Sequence, residues 1–183
     1  SFDFLTPFSV VTGIALMFGY GLLGAGWLIL KTEGEVQAAA RRHGRICLVG
    51  VLVAIGIVSI WTPLAQPVIA SRWFAFPNIV IFAPVPIAAL AAAFFTWRSL
   101  GSHHEARPFI GAILLFLLSY LGIAISLFPM IVPYKYTLTE AASSEATQAF
   151  LIVGTLFLLP IVLMYTAWSY WVFRGKVRGQ FYH

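Results

Sequence analysis

Charge is nearly missing from this sequence. Only 9% of its 183 residues are Asp, Glu, Lys or Arg, against about 25% in a soluble domain. Apolar residues make up 61%, and mean hydropathy is +0.93. A soluble enzyme of this size is excluded, because too much apolar surface would meet water. A disordered chain is excluded for the opposite reason, since such chains have little apolar surface. The single cysteine, Cys47, rules out a disulfide framework within the chain and a cysteine-only zinc site. No basic segment precedes the first apolar stretch, and that stretch is long enough to span a bilayer, so the start does not read as a signal peptide. The chain opens on Ser1 rather than Met, which suggests a processed chain or the later part of a longer one. What remains is an integral membrane protein.

Five runs are long and apolar enough to cross a hydrocarbon core about 30 Å thick. They are Phe8–Leu30, Ile46–Thr62, Ile79–Trp97, Phe109–Ile131 and Phe150–Phe173. Together they fill more than half the chain, so the loops cannot hold a folded soluble domain. The whole of 1–183 is expected to be a single transmembrane domain. A β-barrel would alternate apolar and polar residues. Gly111–Ile125, with Ser119 and Tyr120 as its only polar members, does not alternate.

Orientation follows from Lys and Arg. Lys31, Arg41, Arg42 and Arg45 follow the first span, Arg98 and Arg107 follow the third, and Arg174, Lys176 and Arg178 follow the fifth. The other compartment holds only Arg72 and Lys135. Nine against two puts the N-terminal end outside and the C-terminal end in the cytoplasm, as an odd number of spans requires. The net charge of +5 is then a topology signal, not a sign of nucleic-acid binding. Trp27, Trp97, Trp168 and Trp171 fall near the inner ends, and Trp61 and Trp73 near the outer face, as in an aromatic belt.

No Asp, Glu, Lys or Arg lies inside these runs. Ionisable groups at depth mark proton paths and ion sites, so proton pumping and midplane ion binding are not expected of this segment. All four histidines, His43, His103, His104 and His183, lie outside the spans. Met17, Met130 and Met164 therefore have no histidine at depth to share a haem iron with, and they read as packing. His103, His104 and Glu105 form a candidate metal cluster only weakly, because neighbours on a loop rarely converge on one ion; a solvated turn is the preferred reading. Cys47 reads as a small apolar residue. No catalytic, cofactor-binding or metal residue is identified.

Small residues suggest close helix packing: Gly21 with Ala25, Gly50 with Ala54, and Gly122 with Ser126, each four apart. Gly24 and Gly122 lie on the glycine-rich faces of the first and fourth spans, the candidate packing surfaces. Pro84 and Pro86 fall within the third span and Pro160 within the fifth, inviting kinks. Pro129 and Pro133 mark the outer end of the fourth. The stretch Pro63–Phe76 is expected along the outer interface or as a helical extension of the second span, which would then run toward Ala70.

Certain runs resemble a known family. Ser126–Pro133 (SLFPMIVP), Thr137–Ala141 (TLTEA), Leu159-Pro160 and the final stretch Tyr165–Val177 (YTAWSYWVFRGKV) are similar to subunit II of cytochrome bd-type quinol oxidases. So are Pro7-Phe8 with Gly13, the run Gly24–Trp27 (GAGW), and Lys31–Gly34 (KTEG). The resemblance is weakest from about Cys47 to Gly101. It implies that the five spans correspond to the last five of nine helices, a four-helix bundle plus one further helix. The expected fold class is an all-α integral membrane protein. The resemblance further implies a bacterial inner-membrane heterodimer of the respiratory chain that oxidises quinol and reduces oxygen to water. Haems b and d and quinol would reside in the partner, subunit I, and this chain would be a haem-free support, with lipid and the first half of subunit II as further neighbours. Acidic residues tied to proton access in the family belong to its first half, and none is transferred here. The residues alone leave two alternatives: half of a secondary transporter, with Pro84 and Pro86 breaking a helix, or a stand-alone haem- or quinone-binding membrane protein.

Overall fold

The computed structural model describes residues 6–132 and 135–176. Pro133, Arg178 and His183, on which expectations rest, lie outside the described residues. Among the described residues seven helices follow one another: α1 Pro7–Lys31, α2 Gly34–Ala65, α3 Pro67–Phe74, α4 Asn78–Phe82, α5 Pro84–Leu100, α6 Ala106–Leu127 and α7 Glu145–Val172. A small antiparallel pair, β1 Met130–Val132 and β2 Tyr136–Thr137, sets Met130 opposite Thr137. Five stretches of the described residues are long and apolar enough to cross a membrane: α1, α2, α4 with α5, α6 and α7, of 25, 32, 23, 22 and 28 residues. The chain is an all-α integral membrane protein.

The reasons for the boundaries are local. Thr6 caps α1: its Oγ1 accepts the Ser9 backbone N–H at 3.1 Å, and Ser9 Oγ accepts the Thr6 N–H at 2.9 Å. Pro7 sits at the first helical position, where its missing N–H costs nothing. Gly34 turns the chain into α2 at φ 65°, a conformation that glycine adopts without a Cβ clash.

Three boundaries differ from the hydropathy reading. α2 begins at Gly34, not Ile46, because Gly34–Arg45 holds good helix formers and no proline. Its Ala40 and Gly44 are also buried. The third span is interrupted at Ala83, since Pro84 brings no N–H to continue the ladder; Pro84 and Pro86 therefore occupy the first turn of α5. α6 stops at Leu127 rather than Ile131. Pro129 cannot donate, and a residue before proline is pushed toward extended backbone. The stretch Pro63–Phe76 divides in the same way: α2 runs to Ala65, and α3 starts afresh at Pro67. Arg72 Nη1 donates to the Ile125 carbonyl at 3.3 Å, and Trp73 Nε1 donates to Ser126 Oγ at 3.0 Å, fastening α3 to the end of α6.

The described residues form two compact units, one of 6–126 with Lys176 and one of Leu127–Gly175. In the first, α1, α2, α5 and α6 share one core: Leu22 and Ile29, Ala40 and Leu48, Ala92, Ala93 and Leu100, Ala112 and Leu115. At two glycines a neighbouring backbone itself comes close. A Cβ on Gly26 would fall 2.9 Å from the Phe109 Cα, and one on Gly111 would strike the Thr96 side chain. Thr96 is fully buried and donates its hydroxyl to the Ala92 carbonyl at 2.6 Å. Gly50 faces Phe18, and Gly21 faces the Cys47 sulfur. Gly24 and Gly122 have nothing within 4 Å. In the second unit α7 has no buried residue.

This contrast yields a test on one helix. Gly26→Ala forces α1 and α6 apart, at about 1–3 kcal/mol for an overpacked contact, whereas Gly24→Ala meets open space. Melting of the detergent-solubilised protein should fall clearly for the first and stay near the parent for the second. Equal melting would refute the close approach.

Candidate functional site

The polar chemistry of the first unit gathers where α1 and α5 end and α2 and α6 begin. Gln37, one turn into α2, turns its Nε2 back to the Ile29 and Thr32 carbonyls at 2.9 and 3.0 Å. Those carbonyls belong to the last turn of α1 and its cap, where helix acceptors lack partners. The same Nε2 lies 3.1 Å from Glu105 Oε1, in the loop before α6. Lys176 Nζ donates to that oxygen at 2.5 Å and lies 3.5 Å from Glu33 Oε1. Arg41 Nη1 donates to the Ser102 carbonyl at 2.6 Å and reaches the Leu100 carbonyl at 3.4 Å. A cation at that helix end also complements the α5 dipole. The cluster joins the α1–α2 turn, the α5–α6 turn and Lys176.

Electrostatics follow from the contacts. The Lys176 and Gln37 hydrogen bonds hold the Glu105 carboxyl below its ordinary range, and the Glu105 bond raises the Lys176 ammonium above its own. The carboxylate's contribution is present above its ordinary pKa and fades as pH falls through the lowered one. The ammonium's contribution is present below its ordinary pKa and fades as pH rises through the raised one. The clasp is therefore intact across neutral pH. Its members are partly exposed, so salt screens it.

Aromatic side chains brace the cations of this region. Lys31 Nζ lies 5.1 Å from the Trp27 ring, Arg45 Cζ 5.9 Å from Trp97, and Arg98 Cζ 6.0 Å from Phe94. In the second unit Arg174 Cζ lies 4.7 Å from Trp171. These contacts suit tryptophans at a membrane interface, with cationic heads turned to water. In the loop between α6 and α7 Glu140 Oε2 accepts both the Thr137 N–H and its hydroxyl at 2.9 Å, which lowers the Glu140 pKa.

The His103–Glu105 cluster divides. Glu105 is engaged by Lys176 and Gln37, while His103 and His104 are exposed. His43 Nδ1 lies 2.8 Å from the Ala39 carbonyl. Among the described residues no three His, Cys, Asp or Glu side chains gather as a metal-holding group. Met17 and Met164 are among the most exposed apolar residues. Sequence reasoning missed the pairing of Glu33, Gln37, Glu105 and Lys176. The KTEG and FRGK motifs contain its two ends, but nothing in either names a partner.

The profile of the family described as cytochrome bd terminal oxidase subunit II matches residues 1–173. The chain belongs to that family. It is 24% identical to cytochrome bd-I ubiquinol oxidase subunit 2 of Escherichia coli K12, over 96% of this chain and 54% of that protein. It is 27% identical to cytochrome bd ubiquinol oxidase subunit 2 of Bacillus subtilis, over 96% and 52%. The probable cytochrome oxidase subunit 2 of Haemophilus influenzae is 23% identical, over 98% and 55%. The chain thus spans about half the length of the curated relatives it matches.

The clasp makes a prediction for this family member. Trypsin must take the Lys176 side chain into its own pocket to cut after it, so a tethered lysine resists. Glu105→Gln should speed cleavage after Lys176 several-fold at neutral pH and low salt, followed by mass spectrometry. Glu33→Gln, whose oxygen is farther off, should do less. Unchanged cleavage in both would show that the tether does not hold in solution.

Proposed function

We propose that this chain is the later, haem-free part of the second subunit of a bacterial inner-membrane oxidase that takes electrons from quinol and reduces oxygen to water. The match of residues 1–173 to the subunit II family carries this reading. The chain's own residues agree with a supporting role. The apolar runs contain no Asp, Glu, Lys or Arg, so no proton-carrying side chain sits at depth. The chain contributes packing surface and register, and no catalytic residue. Haems b and d and the quinol site belong, on this reading, to a subunit I-type partner. The first half of subunit II and lipid are its other neighbours, and nucleic acid is not one. The basic ends of the helices face the cytoplasm, with the N-terminal end outside.

The test is isolation of the tagged protein from its native membrane in mild detergent, with an absorption spectrum and subunit masses. A haem-containing partner with reduced b- and d-type bands is the expected companion. A colourless preparation, from a complex verified to survive the detergent, would defeat the reading. Gly24 and Gly122 sharpen it, because each faces open space within this chain. Gly24→Leu and Gly122→Leu should leave the bundle's melting near the parent yet lower the yield and haem content of the complex. Unchanged yield would remove these faces as contact surfaces.

A further inference from the structure

We propose that the exposed faces of α2 and α5 that meet at the basic end bind one anionic phospholipid, its phosphate held by arginine and its acyl chain lying along the helices. On α2, Arg42, Arg45, Val49 and Val53 follow at spacings of three and four, so they share a face, and all four are exposed. On α5, Phe94, Trp97 and Arg98 are exposed likewise. The two stripes meet where the Arg45 guanidinium lies 5.9 Å from the Trp97 ring; beside it Arg98 lies 6.0 Å from Phe94. Among the described residues no carboxylate pairs with Arg42, Arg45 or Arg98. Arg41, by contrast, is held by the Ser102 carbonyl.

Charge complementarity selects the occupant. A planar guanidinium presents a fork of donors that fits phosphate oxygens two at a time. Trp97 marks the headgroup level. Below it the stripes continue as Val49, Val53 and Phe94, which an acyl chain can cover and a free phosphate cannot. The assignment rests on the spanning geometry of this chain and not on the oxidase reading.

Native mass spectrometry of the full protein in mild detergent, with equal phosphatidylglycerol and phosphatidylcholine, tests it. Phosphatidylglycerol adducts should dominate. The double variant Arg42→Gln/Arg98→Gln alters only exposed side chains and should weaken phosphatidylglycerol binding by about fivefold per side chain. Phosphatidylcholine adducts should not change. Arg42→Lys/Arg98→Lys should restore much of the preference, and Arg174→Gln, which belongs to neither helix, should leave it intact. Equal retention of the two lipids, or undiminished phosphatidylglycerol on the glutamine variant, would overturn the proposal. So would displacement of the lipid by inorganic phosphate alone, or a bound protein segment lost with the same arginines.

Discussion

In lipid an apolar side chain gains nothing by leaving its solvent, so a helical bundle coheres where backbones come close enough for dispersion contacts to accumulate. Here that happens at Gly26 against Phe109 and at Gly111 against Thr96. Each glycine removes the Cβ that would hold two helices apart. The largest fully buried side chains of this unit are Ile29, Leu48, Thr96, Leu100 and Pro108. Thr96 meets the same constraint with its hydroxyl, which returns to the Ala92 carbonyl and leaves no polar atom facing apolar neighbours.

The tightest packing and the densest polar contacts therefore fall at the same end of the first unit. Ile29, Ala40, Leu100 and Ala112 bring four helix termini together, and the turns between them lie where water can solvate charge. A lysine or carboxylate is tolerated there at little cost, whereas the same group at depth would need a partner or a proton. Gln37 and Arg41 occupy that end and donate to carbonyls the helices leave open, while Glu105 accepts from Gln37 and Lys176. Packing sets how near the helices come, and the polar contacts set which turn faces which.

Much of this was legible in the sequence, and the exceptions have separate causes. The five apolar runs were legible because a bilayer demands length and apolarity, both of which hydropathy measures. The start of α2 was not, since hydropathy is blind to a helix that continues into water; Ala38, Ala39 and Ala40 signalled it through propensity instead. The ends at Ala83 and Leu127 depend on Pro84 and Pro129 removing donors; both prolines stood out in the sequence as a kink and a span end, while hydropathy alone carried the apolar runs past them. The polar cluster was illegible for another reason. Glu105 and Lys176 are 71 residues apart, and a single sequence offers no signal for a pair that only the fold makes adjacent. The Gly21–Ala25 and Gly50–Ala54 spacings signalled close packing, but spacing did not separate Gly26, pressed on a neighbour, from Gly24, which meets none.

The long exposed helix of the second unit follows from the same physics. In water, a 28-residue helix with no buried residue and side chains as apolar as Phe150, Leu156 and Trp168 would be an aggregation hazard. In lipid its backbone is satisfied internally and its surface is already solvated. Exposure there carries no penalty, and apolarity by itself specifies no neighbour. Specificity has to come from shape or from polar groups at the ends. α7 has Pro160 within it and Trp168, Trp171 and Arg174 near its close. Those features can fix depth and rotation in the bilayer without any charge at the midplane.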